Sequence, residues 1–175
     1  MSADGWRFKD GKSMAITFAV VAVLLLCMYG FWRSQRKNTL AMATSLLSQQ
    51  EEELQSLFSQ RFQVAGELAA QSGDAELQSV LSAPRTTAAE VGDTYAKSDQ
   101  RLAELQRELA GNGRLEELRQ LFAQLSAIED EIVARYAPYQ SQRERYQRSL
   151  SRGDLKRGAR QFPDWEIGAS LSARP

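Results

Sequence analysis

Histidine does not occur among the 175 residues of this chain, and its one cysteine, Cys27, lies inside its most apolar stretch. Without histidine there is no Ser-His or Cys-His nucleophile pair, no di-iron site built on Glu-x-x-His, and none of the commonest metal ligand. A single thiol forms no intrachain disulfide, so cysteine usage leaves the redox compartment open. Charge of one sign is lacking too: 22 basic and 22 acidic side chains cancel, which argues against a nucleic-acid binder. Neither a Gly-x-Ser-x-Gly elbow nor a Gly-x-x-x-x-Gly-Lys phosphate loop is present. No window of real length alternates apolar and polar residues, so strands are not expected anywhere. The expectation is a non-enzymatic, all-α protein with no catalytic residues, no cofactor and no metal.

What is present begins with Met14 to Trp32, nineteen residues without a charge. At the helical rise this stretch reaches about 30 Å, the hydrocarbon thickness of a bilayer. Trp6, Arg7, Lys9 and Lys12 precede it, Tyr29 and Trp32 sit at its far edge, and Arg33, Arg36 and Lys37 follow. It ends in Tyr-Gly-Phe-Trp-Arg rather than the small residues of a signal-peptide cleavage site, so it reads as an uncleaved single-pass anchor. Three lysines and arginines on each side leave the orientation undetermined. About 140 residues remain beyond it, room for one modest domain. The division expected is a polar leader over 1–13, the anchor over 14–32, a helical domain over 33–167 and a tail over 168–175.

Neither proline nor glycine interrupts 33–65, so the anchor continues as helix towards Gln71. Leu40, Leu47 and Leu54 recur at sevens, Arg61 breaks the row, and Leu68 resumes it. Gly73 is the expected stop, with Ser72 and Asp74 as turn or capping residues. Two turns over 75–81 end at Ala83-Pro84, and Thr86 or Thr87 caps a helix whose first turn holds Glu90. Its apolar row is Ala88, Val91, Tyr95, Ser98, Leu102, Leu105 and Leu109. Gly111-Asn112-Gly113 turns the chain into a last helix that starts at Arg114, holds Pro138 and stops near Gly153. Short connections between helices predict an elongated antiparallel bundle of three long helices, up, down and up. The segment 160–167 is expected to fold back as a cap.

Three landmarks carry a family resemblance. Arg61-x-x-Val64-Ala65-Gly66-Glu67-Leu68 resembles the Arg-x-x-Leu-Ile-Pro-Asn-Leu segment of the bacterial LemA family. Tyr139-Gln140 and Tyr146-Gln147 are similar to its twin Tyr-Asn pairs, and Phe162-Pro163 to the Phe-Pro that closes its last helix. Gly66, Glu67 and the two glutamines depart from that pattern, and Ser151 to Arg160 looks inserted. The resemblance implies a helical domain on one amino-terminal anchor in a bacterial inner membrane, with no established catalytic activity.

Glu51-Glu52-Glu53 and Glu129-Asp130-Glu131 fan around a helix at about 100 degrees per residue and read as solvated faces, with a divalent-metal site between helices as the minor reading. Arg61 has two readings: its stem covers the apolar seam while the guanidinium reaches water, or it is buried against a neighbouring helix's carboxylate and fixes register. Tyr139 and Tyr146 read as packed rings, hydroxyls at the rim, that share this structural role, and secondarily as a docking surface. The run 142–160 sets Arg143, Arg145, Arg148, Arg152, Lys156, Arg157 and Arg160 against Glu144 and Asp154. It is either a solvated helix end or, with Phe162 and Trp165, a partner-binding surface. An up-down-up layout carries these arginines to the pole remote from the anchor, which favours an acidic protein over lipid headgroups, unless the short segment over 75–81 reverses the layout. The function expected is an adaptor or scaffold for another protein; the alternative is a structural membrane protein that self-associates through its heptads.

Overall fold

A computed structural model describes residues 11–151 and 159–167. Every regular element among them is a helix: α1 (Gly11–Ser72), α2 (Ala75–Ser82), α3 (Ala88–Gly111) and α4 (Leu115–Ser151). Of the leader expected over 1–13, residues 1–10 lie outside the described residues and 11–13 belong to α1; the connection over 152–158 and the tail over 168–175 also lie outside them. The chain divides into a first unit, Met1–Ala43, and a second, Thr44–Pro175.

The first unit carries the one stretch among the described residues long and apolar enough to cross a membrane. Its large side chains point outward; Leu26 is 69% exposed and Phe18 68%. At the end of this stretch Tyr29 lies against Trp32, and the Arg36 guanidinium sits 5.4 Å from the Trp32 ring centroid. A ring pair topped by a cation suits a boundary between hydrocarbon and water.

In the second unit the rows turn inward. Leu47, Leu54 and Leu68 of α1 are buried, as are Leu102, Leu105 and Leu109 of α3 and Leu118, Leu125 and Ile132 of α4. The chain leaves α1 through Gly73, whose φ of 75° only glycine adopts without strain. The Asp74 carboxylate then caps α2 by accepting the Leu77 N–H at 2.9 Å, while the Gln78 side chain donates back to the Ala69 carbonyl. Thr87 caps α3 in a reciprocal box with Glu90. Gly113, at φ 70°, turns α3 into α4, which runs through Pro138 without a break.

The directions of these helices differ from the expected up-down-up alternation. Phe58 meets Tyr95 and Arg61 meets Ser98 and Asp99, so residue numbers rise together and α3 runs the same way as α1. Against α4 they move oppositely: Arg61 meets Glu129, and Glu53 pairs with Arg135. The cause is α2. Two turns of helix and the extended link through Pro84 carry the chain back before α3 begins, so one direction is spent on a segment too short to count as a long helix.

Candidate functional site

Arg61 is the centre of the second unit. Its side chain is 0% exposed, and its Nε donates to Glu129 Oε1 at 3.0 Å, Nη1 to Ser98 Oγ at 2.8 Å and Nη2 to Asp99 Oδ1 at 3.3 Å. The Ser98 hydroxyl in turn donates a hydrogen bond to the Tyr95 carbonyl, and the guanidinium carbon lies 3.9 Å from the Tyr95 ring centroid. Of the two sequence readings, the structure has the buried one. A guanidinium removed from water is tolerable only where its forked donors are met, and here acceptors from α3 and α4 meet them. Arg61 and Ser98 fall on the apolar rows of their helices, but Glu129 is expected on a solvated face; that reading is corrected, since Glu129 is buried against Arg61.

A second junction forms where the segment 159–167 lies across α1, α3 and α4. Trp165, 2% exposed, packs its ring on Phe58 and Tyr139, with centroids 5.3 and 5.1 Å away. Phe162 meets Tyr146 edge-on, and Ile167 is wholly buried. The Tyr139 hydroxyl donates to the Pro163 carbonyl at 2.8 Å, and Arg143 Nε donates to the Phe162 carbonyl at 3.1 Å. Asp164 takes Arg143 Nη1 at 2.7 Å and Gln140 Nε2 at 2.8 Å. Burial alone would raise the Asp164 carboxyl, but the bonds from Gln140, the Glu166 N–H and Arg143 outweigh it and hold the group below its ordinary range. Burial pushes the Tyr139 and Tyr136 phenols up, so both stay neutral donors. Gly92 on α3 completes the fit. A Cβ there would lie 1.8 Å from the Trp165 carbonyl oxygen, so only glycine lets the segment approach this closely.

This geometry redistributes the residues expected at a partner surface. Phe162 and Trp165 are core residues of their own chain, and Arg143 holds the segment that contains them. Arg160 donates to Ser48 at 3.0 Å and Glu51 at 2.9 Å and lies over the Phe162 ring. Those contacts place it at the start of the second unit, so the up-down-up layout gives way to the reversal through 75–81 that the sequence left open: within the unit, α4 returns to the end from which the unit starts. Arg145 and Arg148 are exposed, Arg148 beside Glu144. Arg152, Lys156 and Arg157 lie outside the described residues. Tyr139 and Tyr146 are both buried. The heptad leucines suggested as a self-association seam are occupied too, since Leu47, Leu54 and Leu68 are buried within the unit.

A cleft of about 860 Å³ opens beside the segment, between Phe58 and Phe62 of α1, Val91 of α3, and Phe162 and Trp165. Sequence reasoning missed its cation, Arg85, which precedes α3. The Arg85 guanidinium stacks 4.5 Å from the Phe62 ring centroid and has no ion pair among the described residues. Against aromatic walls, an unpaired planar guanidinium can fork onto a carboxylate. No cluster of acidic, cysteine or histidine residues among those described could hold a metal. No family model matches the chain, and no curated protein or solved structure matches it.

Proposed function

We propose that this chain is a single-pass membrane-anchored adaptor of LemA-like type, with a 14–32 anchor and a helical bundle whose cleft takes an acidic segment of another protein. The bacterial inner membrane is the setting that the resemblance implies. Support for the anchor is the outward-facing apolar surface of the first unit, which is unfavourable in water at about 25 cal/mol per Å² and favourable in lipid. The observation that carries the binding reading is Arg85, a cation with no ion pair among the described residues, stacked on Phe62 at the wall of a cleft of about 860 Å³. A carboxylate with a neighbouring apolar side chain satisfies both the guanidinium and the aromatic floor. Exposed Arg145 and Arg148 extend the cationic surface without belonging to the cleft.

The test is capture of partners from solubilised membranes by the full chain in mild detergent, alongside Arg85→Glu and the double change Arg145→Glu with Arg148→Glu. Loss with Arg85→Glu alone supports the cleft; loss with the double change alone moves the surface to α4. An unchanged partner set in both removes the reading. Anchoring is tested apart from this, since release of the full chain by alkaline carbonate would overturn the membrane assignment.

A further inference from the structure

The segment 159–167 is bound the way an extended peptide is bound. Its aromatic residues enter separate pockets, Phe162 against Tyr146 and Trp165 between Phe58 and Tyr139. Two of its backbone carbonyls take side-chain donors, Pro163 from Tyr139 and Phe162 from Arg143. Asp164 is held by Arg143 and Gln140, and Arg160 by Ser48 and Glu51. Gly92 leaves the notch into which the Trp165 carbonyl sits. The groove therefore recognises Arg-x-Phe-Pro-Asp-Trp-x-Ile through contacts that depend on the segment's chemistry and not on which chain supplies it.

We propose that this groove is also the chain's self-recognition site: between two copies the 159–167 segments exchange, each occupying the other's groove. The occupant is fixed by the contacts above, because a second copy offers the same aromatic rings, the same Asp164 for Arg143 and the same carbonyl for the Gly92 notch. Exchange reproduces every one of these contacts in both grooves, so what it changes is connectivity, and a reciprocal exchange closes with two-fold symmetry. Seven residues, 152–158, join Ser151 to Ala159, a link that when extended reaches about 25 Å. Local concentration then sets the proportion of exchanged pairs, and the inference rests to that extent on the anchored reading, which gathers copies in two dimensions. The heptad leucines play no part in this association, being buried within each unit.

The experiment uses full-length chains co-expressed in membranes, in a Cys27→Ser background, with two different tags. One chain carries Glu51→Cys and the other Arg160→Cys, and a short bismaleimide is added. Each chain then has one thiol, so every product that carries both tags joins two chains. Exchange brings the thiol at position 51 of one chain beside the thiol at position 160 of the other. The mixed product should exceed by about tenfold that of a control pairing Glu51→Cys with Glu116→Cys, whose position lies far along α4. Adding Gly92→Ala to both chains fills the notch and should reduce the product to the control level, while the far-ultraviolet spectrum reports that the helices persist. A mixed product no greater than the control overturns the exchange, and so does one that survives Gly92→Ala in chains that remain helical. Failure here leaves carbonate resistance and partner capture untouched, so it is distinguishable from failure of the adaptor reading.

Discussion

The two ends of the second unit are built from different materials. Where α1 stops and α3 turns into α4, the core is leucine and alanine: Ala65, Leu68, Leu77, Leu105, Leu109 and Leu118. Where α1 enters, Leu47, Leu54 and Ile167 are joined by Phe58, Tyr95, Tyr139, Tyr146 and Trp165, with Arg61 and Glu129 buried at the boundary. The leucine end stabilises by area removed from water, a force with little direction, and a helix displaced along its axis could recover much of it. The aromatic end adds conditions of geometry. A guanidinium met by Glu129, Ser98 and Asp99 at once, and a tryptophan carbonyl seated on Gly92, are satisfied in one register. One end supplies burial, and the other decides how the helices align.

Breaking the polar junction should have the largest effect. Arg61→Ala leaves Glu129 buried without its cation and should cost about 3–5 kcal/mol in urea unfolding of the full chain in detergent. If the cost is the stranded charge, then Arg61→Met with Glu129→Leu, which removes both charges and fills the space, should recover most of it. A double variant no more stable than Arg61→Ala would show that the site contributes through shape alone, and the contrast between the two ends would lose its basis.

What was legible in the sequence follows the same division. The leucine rows announced helices because burial leaves a period, and Gly73, Gly111-Asn112-Gly113 and the Thr86-Thr87 pair announced their ends because caps and turns require particular residues, though only the structure shows which threonine caps α3. Direction leaves no period. The row through Val91, Tyr95 and Leu102 reads the same whichever way α3 runs, so only the length of α2 and its link, together with the Arg101–Asp74 pair that ties α3 to the start of α2, fixes it. For 160–167 the composition supports two readings, a cap that folds back and a partner-binding surface; the structure has the cap, with Phe162 and Trp165 buried in their own chain. Arg61 is the most informative residue, since an arginine in a leucine row is either at the rim or matched; its match is not legible, because Glu129 sits in an acidic triplet that has the composition of a solvated face.

The latch formed by the 159–167 segment should respond to acid, with a smaller effect. Asp164 is held below its ordinary carboxyl range, so the folded state binds its proton more weakly than the unfolded chain does. Its contribution is complete above the ordinary value of 3.8 and is lost as pH falls through the lowered folded value. Its side chain is 39% exposed, and solvent screening keeps the contribution to about 1 kcal/mol. In a Trp6→Phe, Trp32→Phe background the Trp165 emission reports the latch. The difference between this chain and its Asp164→Asn version should be constant from neutral pH down to about pH 4 and vanish below it. A difference that does not change with pH would mean that Asp164 acts through packing rather than charge.

The smallest effect tests which threonine closes the return path that gives α3 its direction. The Thr87 hydroxyl accepts the Glu90 N–H at 3.3 Å, a long bond, while Glu90 Oε2 takes the Thr86 hydroxyl at 2.8 Å and both threonine N–H groups. These hydrogen bonds, the Thr86 hydroxyl first, hold the Glu90 carboxyl below its usual range. Thr87→Ala removes the weaker of the two hydroxyl contacts and keeps the carboxylate's three bonds, so its cost should fall at the low end of the capping range, about 0.5 kcal/mol. Thr86→Ala should cost at least as much, because it breaks the shorter bond to a charged acceptor. Amide exchange at Ala88 to Val91 reads the fraying of this end directly. Fraying in Thr87→Ala with none in Thr86→Ala would mean that the cap works through the backbone N–H of Glu90, and that the carboxylate's hold on Thr86 is incidental to where α3 begins.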